Sequence, residues 1–341
     1  MTTTPIEIIA AEGMTDLAQR VYARLDQNTF GYSEVEPKDF ANRETKPRIL
    51  ETVRRKEVYL FHPMQYPDPS VNLVRVGLTI DALTRASVDS IALVLPYLSY
   101  SRQDRIDKPG EPLSAKFTAK ILQSSPRVNH LLTMDLHVEQ IEGFYDIPVD
   151  NLYGALVFAE HFCQLYGAHS EDVVVSSFDS TVVYSPDFGG AVRARRFAKM
   201  LGPDVRTFPI EKRHTASDGK EILNFLGDPQ GKIVLMYDDI IDSGDSILIA
   251  AREAMKRGAQ KVYCVVTHGI FSAKDGISAE DKFRQAGIDV LITESIPRSA
   301  DYRRENESWL TILPLDDLLS RVIVESSMIG GSVNRILGRR I

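Results

Sequence analysis

The chain alternates along most of its length between short apolar runs and longer amphipathic ones. "KEVYLFHP" (56–63), "SIALVLPYL" (90–98) and "HLLTMDLH" (130–137) are brief and rich in Val, Ile, Leu and aromatics, as strands buried on both faces are. Between them, "NLVRVGLTIDALTRA" and "PLSAKFTAKILQS" space their apolar residues as helices do, the second with Pro112 near its start. Short strands separated by helices leave few folds open: right-handed βαβ units and mainly parallel sheets. The rhythm restarts after Pro148. "ALVFAEHFCQLYG" is helical, "TVVYSPDFGG" ends a strand in a glycine turn, and "AVRARRFAKMLG" is a helix stopped by Gly202. "KIVLMYDD" and "KVYCVVTHG" are strands around a helix at 246–257 closed by Gly258, and "DVLITESI" and "TILPL" supply later strands. The expected fold is α/β: an N-terminal unit over 1–150, a second over 151–320, and a tail, 321–341, packing back on the body.

Composition narrows the function. The 341 residues are 43% hydrophobic and 26% charged, with a formal net charge of -7, which speaks against a nucleic-acid binder. The N-terminal stretch lacks the basic region and long apolar core of a signal peptide, and no run reaches the ~20 apolar residues of a membrane span. Cys163 and Cys264, each in an apolar stretch, read as buried free thiols in a reducing compartment. A cytoplasmic enzyme acting on small molecules is expected, with no nucleic-acid or membrane partner.

Ligands of open α/β sheets gather beyond the carboxyl ends of the strands. In "KIVLMYDDIIDSGDSILIAAREAMKRGA" (232–259), Asp238 and Asp239 leave a strand, and Asp242, Ser243, Gly244, Asp245 and Ser246 lead into a helix. Loop N–H groups and a helix N-terminus suit a phosphate; paired aspartates suit vicinal sugar hydroxyls or a metal. Together they describe a sugar phosphate, against the plainer reading of a capped helix after a solvated acidic turn. "MDLHVEQ" puts Asp135 and His137 at a strand end, His137 being a metal ligand or a structural histidine. "SPDFGGAVRAR" puts Asp187, a metal-holding or helix-capping carboxylate, before Gly189 and Gly190, with Arg193, Arg195 and Arg196 behind. Arg102, Gln103, Asp104 and Arg105 follow a buried strand, either as polyphosphate contacts or as a solvated charge run. "EKRHTASDGK", with Lys212, Arg213 and His214, reads as a polar loop whose cations could close over transferring phosphates.

From about Phe40 to about Leu318 the chain resembles the ribose-phosphate pyrophosphokinase family. "TMDLHVEQIEGFYDIPVDNLYG" is similar to that family's most characteristic stretch, and "PYLSYSRQDR", "SPDFGGAVRAR", "VLMYDDIIDSGDS" and "VTHGIFS" follow in family order. The resemblance implies two tandem phosphoribosyltransferase-like domains that transfer the β,γ-diphosphoryl group of ATP to O1 of ribose 5-phosphate, with Mg²⁺. It further implies that Arg102, Gln103, Asp104 and His137 contact ATP and that His137 and Asp187 serve Mg²⁺. Asp238 and Asp239 would hold the ribose hydroxyls, 242–246 the 5-phosphate, and Lys212, Arg213 and His214 the transferring group. Phe40, Asn42 and Glu44 fall where a neighbouring subunit contacts adenine, which implies a homo-oligomer built from dimers, up to a hexamer.

Three departures stand out. The family's Phe-x-Asp-Gly-Glu reads Phe40-Ala41-Asn42-Arg43-Glu44 here, and His214 replaces an arginine. Asp245 brings a carboxylate to a loop that usually has glycine there, in a backbone that can require positive φ. Either its side chain turns outward and ribose 5-phosphate binds, or the pocket takes a phosphate esterified further, as in ADP-ribose. A non-catalytic regulatory homologue and a phosphoribosyltransferase are the other readings.

Overall fold

The computed structural model describes residues 5–65, 68–166, 178, 180–214 and 220–338, with the backbone alone for 212–214 and 220–223. Among these residues the chain forms two seven-stranded sheets with one strand order used twice. The first contains β1 (Ile6–Ala10), β2 (Phe30–Glu36), β3 (Arg48–Ile49), β4 (Glu57–Phe61), β5 (Ser90–Val94), β6 (Val128–Met134) and β7 (Val149–Leu152), ordered β3-β2-β1-β4-β5-β6-β7. The second contains β8 (Thr181–Ser185), β9 (Arg206–His214), β10 (Lys220–Phe225), β11 (Ile233–Ile241), β12 (Lys261–Gly269), β13 (Asp289–Thr293) and β14 (Leu310–Leu313), ordered β10-β9-β8-β11-β12-β13-β14. All pairings are parallel except the edges, where β3 lies antiparallel to β2 and β10 to β9. The expected α/β class and its repetition are therefore present.

Local chemistry explains the helices. Pro69–Arg85 starts with Asp68, whose Oδ1 accepts from the N–H groups of Ser70 (2.8 Å) and Val71 (3.0 Å), and has proline in its first turn. Helices cover both faces of the second sheet, so its strands are apolar at successive positions. Val182, Tyr184, Val234 and Met236 lie in one core layer; Val183, Leu235 and Tyr237 lie in the other.

Several elements escaped the sequence reading. No element was expected before Lys56, yet β1 is central to its sheet. Its run is broken by Glu7, which is buried and paired with Lys56 at 2.8 Å. "EKRHTASDGK" was expected as a loop, but Arg213 and His214 belong to β9 and pair with Glu221 and Lys220 of β10. Backbone pairing at a sheet edge leaves no apolar periodicity to read; the loop's remaining residues, 215–219, lie outside the described residues. Cys264 is buried as expected, whereas Cys163 is exposed, because it falls on the outer face of helix Gly154–Tyr166.

The chain divides into two compact units. The first runs to Leu152 and takes in Ser295–Pro297 and Leu315–Ile336; the second comprises Tyr153–Glu294 and Arg298–Pro314. Helix Asp316–Ser327 therefore belongs with the first unit, across the expected boundaries at 320 and 321. Asp316, 9% exposed, accepts from Arg20 (2.7 Å) and Arg24 (2.5 Å) of helix Thr15–Ala23, and Tyr59 and Ser326 share a hydrogen bond at 3.0 Å. Asp316→Ala would take one acceptor from each guanidinium, leaving Arg20 with Asp16 and Arg24 with Asp317, and should destabilise the first unit by about 1 kcal/mol. Urea unfolding followed by circular dichroism should show the loss; an unshifted midpoint would mean that the ion pairs do not anchor the C-terminal helix.

Candidate active site

In the second sheet the chain passes from β8 outward to β9 and β10, then returns to place β11 on the other side of β8. Strand order reverses between β8 and β11, and the crevice beyond their carboxyl ends is where an open α/β sheet binds ligands. Asp238 and Asp239 lie there. They do not leave the strand as the sequence suggested: β11 continues to Ile241, because Ile240 and Ile241 still pair with His268 and Gly269 of β12. Asp239 is buried, and its N–H donates to Asp238 Oδ1 at 2.9 Å. Arg193, from helix Ala191–Leu201, reaches Asp239 Oδ1 at 3.0 Å and Asp238 Oδ1 at 3.4 Å. The turn after β8 supplies Asp187, whose Oδ1 accepts from Gly190 N–H at 2.9 Å and whose carbonyl accepts from Ser185 Oγ at 2.7 Å. Glycine is needed at 190: a Cβ would stand 2.5 Å from Ser185 Oγ and 3.5 Å from Asp238 Oδ1.

Three carboxylates thus meet one guanidinium. Burial, then the charge and hydrogen bond of Asp239, then the charge of Asp187, push the Asp238 carboxyl well above its ordinary range, and Arg193 only partly opposes them. The site is short of positive charge. Hydroxyl donors or a cation would relieve it.

The loop after β11 turns into helix Asp245–Lys256. Its positive φ falls on Gly244 (+75°), not on Asp245, which is the first helical residue, so Asp245 has no left-handed backbone to tolerate. Gly244 is required twice over, since a Cβ there would also lie 2.8 Å from the Phe283 ring. First-turn N–H groups of a helix have no intrahelical acceptor and carry its positive dipole end, which suits a phosphate. Asp245 accepts from Lys282 (2.7 Å), Lys274 (3.2 Å) and Ser243 Oγ (3.2 Å). Burial, the largest single influence, would raise its pKa, but hydrogen bonds and charge from Lys282 and Lys274, with Ser243, outweigh it and the carboxyl lies below its usual value. Neither lysine is marked by local sequence pattern. The one available signal is electrostatic: an acid in a phosphate loop calls for cations from elsewhere in the fold.

The first unit carries the remaining sequence candidates, which are described within that unit alone. Asp39 and Thr45 bridge a tight turn in which Phe40 N–H donates to Glu44 O and Arg43 N–H to Phe40 O, both at 2.8 Å. Asn42 Oδ1 accepts from Glu44 N–H at 3.1 Å, and Phe40 is half exposed. Arg75 holds the turn through Asp39 at 2.7 Å. Beyond β5, Arg102 and Gln103 are exposed and Asp104 half-buried. Gln103 Oε1 accepts from Ser114 Oγ at 2.5 Å, at the start of helix Ser114–Leu122. Beyond β6, Asp135 takes φ +34° and Leu136 N–H donates to Asn151 Oδ1 at 3.2 Å, leaving His137 half-buried outside the strand end. Of Lys212, Arg213 and His214 the structure describes the backbone, on β9. Among the described residues no three His, Cys, Asp or Glu side chains gather as a metal cage.

Comparison with known proteins agrees with this geometry. Residues 6–125 match a family model described as the N-terminal domain of ribose phosphate pyrophosphokinase, and 204–325 a phosphoribosyl synthetase-associated domain. A ribose-phosphate pyrophosphokinase of Thermotoga maritima is 40% identical over 258 residues, covering 75% of this chain and 77% of that one. One from Granulibacter bethesdensis is 35% identical over 326 residues, covering 95% and 98%. The crystal structure of phosphoribosylpyrophosphate synthetase from Mycobacterium smegmatis superposes with a TM-score of 0.80 at 28% identity, over 94% of this chain and 99% of that one. The chain belongs to the ribose-phosphate pyrophosphokinase family.

As a ribose-phosphate pyrophosphokinase family member, the chain meets its sequence departures with local substitutes. Arg43 stands where the family motif has glycine and takes a left-handed φ of +68°. Asn42 replaces an acid and still supplies a side-chain acceptor. The raised Asp238 pKa makes a signed prediction. Folded protein binds this proton more tightly than unfolded chain, whose aspartate titrates near ~3.9. Stability therefore falls as pH rises from there through the raised folded value. Asp238→Asn removes the like charge, so its melting temperature should exceed the wild type's by about 2–4 °C at pH 7 to 8, the gap closing toward ~pH 4. Thermal melts across that range without ligands check this; a gap independent of pH would show that Asp238 is ionised at no stability cost.

Proposed function

We propose that the chain transfers the β,γ-diphosphoryl group of ATP to O1 of ribose 5-phosphate, giving phosphoribosyl pyrophosphate and AMP for nucleotide biosynthesis. The observation that carries this reading is the pairing, at one strand-order reversal, of the Asp238–Asp239 carboxylates with the Gly244 helix start. Acceptors for two vicinal hydroxyls stand beside donors for a phosphate. Relatives over nearly the whole chain bear the matching name. Asp238 and Asp239 orient the ribose, and residues 242–246 hold its 5-phosphate, so that O1 is presented for in-line attack on the β-phosphorus. No carboxylate is needed as a covalent nucleophile, because this transfer asks mainly for positioning and for cations along the polyphosphate. Arg102, Gln103, Asp104 and His137 contact ATP. Lys212, with Arg213 and His214, stabilises charge on the transferring group.

Mg²⁺ fits the residues present. The Asp187–Asp238–Asp239 group is short of positive charge, and Mg²⁺ is commonly held by one or two carboxylates together with substrate phosphates rather than by an all-protein cage. Asp187 and His137 would each serve Mg²⁺ in its own unit, and the metal would supply charge stabilisation along the polyphosphate. The half-exposed Phe40, with Asn42 and Glu44, supports a homo-oligomer in which this turn serves a neighbouring subunit's adenine. Among the described residues no helix is long and apolar enough to cross a membrane, and we place the enzyme in the cytoplasm.

Two measurements test the proposal. Incubated with ATP, Mg²⁺ and ribose 5-phosphate, the protein should yield AMP and phosphoribosyl pyrophosphate by mass, and excess EDTA should stop it. AMP with no diphosphorylated sugar would refute the reading. Lys212→Ala should lower kcat about a hundredfold or more while moving KM little, as expected of a charge that acts on the transition state. An unchanged kcat would remove Lys212 from the reaction.

A further inference from the structure

We propose that Lys282, assisted by Lys274, is the specificity-determining cation of the acceptor-phosphate loop: it neutralises Asp245, whose carboxylate would otherwise repel the terminal phosphate dianion the loop receives. This inference rests on the function proposed above and names how one part of that site is tuned. Asp245 alone would set a carboxylate at the helix start where the phosphate is held, and like charges a few ångströms apart repel strongly in a half-buried site. Lys282 Nζ lies 2.7 Å from Asp245 Oδ1 and 3.2 Å from the Ser243 carbonyl, so one ammonium ties together both sides of the turn at Gly244. Lys274 Nζ adds a second bond to Asp245 Oδ2 at 3.2 Å. The loop's two carboxylates, Asp242 and Asp245, are thus matched by two ammonium groups, where without Lys282 and Lys274 it would carry two negative charges.

Lys282 is well placed to act as a fixed charge. Its side chain is 17% exposed, against 53% for Lys274. It sits on helix Ala279–Ala286, which Ser278 caps through Asp281 N–H at 3.1 Å. The next residue, Phe283, is fully buried, stacks on Trp309 at 5.9 Å and lies directly under Gly244. The phenyl ring that demands glycine at 244 therefore also fixes the helix that aims Lys282 at 245. The lowered pKa of Asp245, which these lysines bring about against the raising effect of burial, accords with a carboxylate held ionised. Neutralising Asp245 helps a terminal phosphomonoester, close to a dianion, more than an internal diphosphate whose phosphates carry about one charge each.

The test is a charge cycle read in KM for ribose 5-phosphate, with KM for ATP and thermal melts as controls. Lys282→Met should raise KM for ribose 5-phosphate about three- to tenfold with little change in kcat, the effect of one partly screened unit charge at ~6 Å. Asp245→Gly should lower it by a similar factor, and Lys282→Arg should stay near the wild type. The double variant Asp245→Gly with Lys282→Met restores the net charge, so its KM should return close to the wild-type value. The ratio of kcat/KM for ribose 5-phosphate to that for ADP-ribose should follow the same order. If Asp245→Gly raises KM, or the double variant is no better than Lys282→Met, the pair merely braces the loop and the inference fails. If the single variants leave KM flat while the wild type makes phosphoribosyl pyrophosphate, the inference alone fails. If the wild type makes none, the functional reading falls and takes the inference with it.

Discussion

Crowded negative charge at one sheet end is the constraint on which the second unit turns. Asp187, Asp238 and Asp239 are brought together by parallel strands β8 and β11, with Arg193 paired to Asp238 and Asp239. Burying like charges costs stability unless something pairs with them. The surrounding structure makes room for this: glycine at 190 because no Cβ fits, and a strand that keeps its ladder with β12 past the aspartates instead of fraying.

The two sheets share one strand order and differ in what occupies the reversal point. In the first unit the corresponding ends are those of β1 and β4. There His62 is buried, its Nδ1 lies 2.8 Å from the Pro63 carbonyl, and burial pushes its pKa down to about 4. It is neutral at physiological pH, and the strand end offers no glycine–serine turn into a helix. The polar candidates of this unit stand instead beyond β5 and β6. Equal topology thus carries unequal chemistry, because the backbone arrangement decides where a ligand could sit and the residues at the strand ends decide whether one does.

The departures from the family pattern show how local rules are met by different residues. At Arg43 a non-glycine residue accepts a left-handed backbone inside a turn held by backbone hydrogen bonds and by Arg75 on Asp39. At Asp245 the backbone is ordinary helix and the difficulty is electrostatic, answered by lysines 29 and 37 residues further along the chain. The first departure is met mainly by hydrogen bonds within the turn, with Arg75 bracing it from helix Pro69–Arg85; the second is met only by tertiary contacts.

By itself the sequence determined the α/β class and its repetition along the chain. Strand and helix periodicity, glycine stops and strand-end acids are local signals, and they marked Asp187, Asp238, Asp239 and the 242–246 turn, which the fold sets around the ends of β8 and β11. It could not show that β9 and β10 form an edge hairpin, since backbone hydrogen bonding leaves little trace in side-chain pattern. It missed β1 because a buried charge, Glu7, interrupts the apolar run and its partner Lys56 lies 49 residues away. Nor could it assign helix Asp316–Ser327 to the first unit, a choice made by Arg20 and Arg24 near the opposite end of the chain. The tertiary structure also decided the state of Asp245. Coulomb interaction acts through space, so a carboxylate's neighbours are set by the packing of Phe283 beneath Gly244 and not by the residues beside it in sequence.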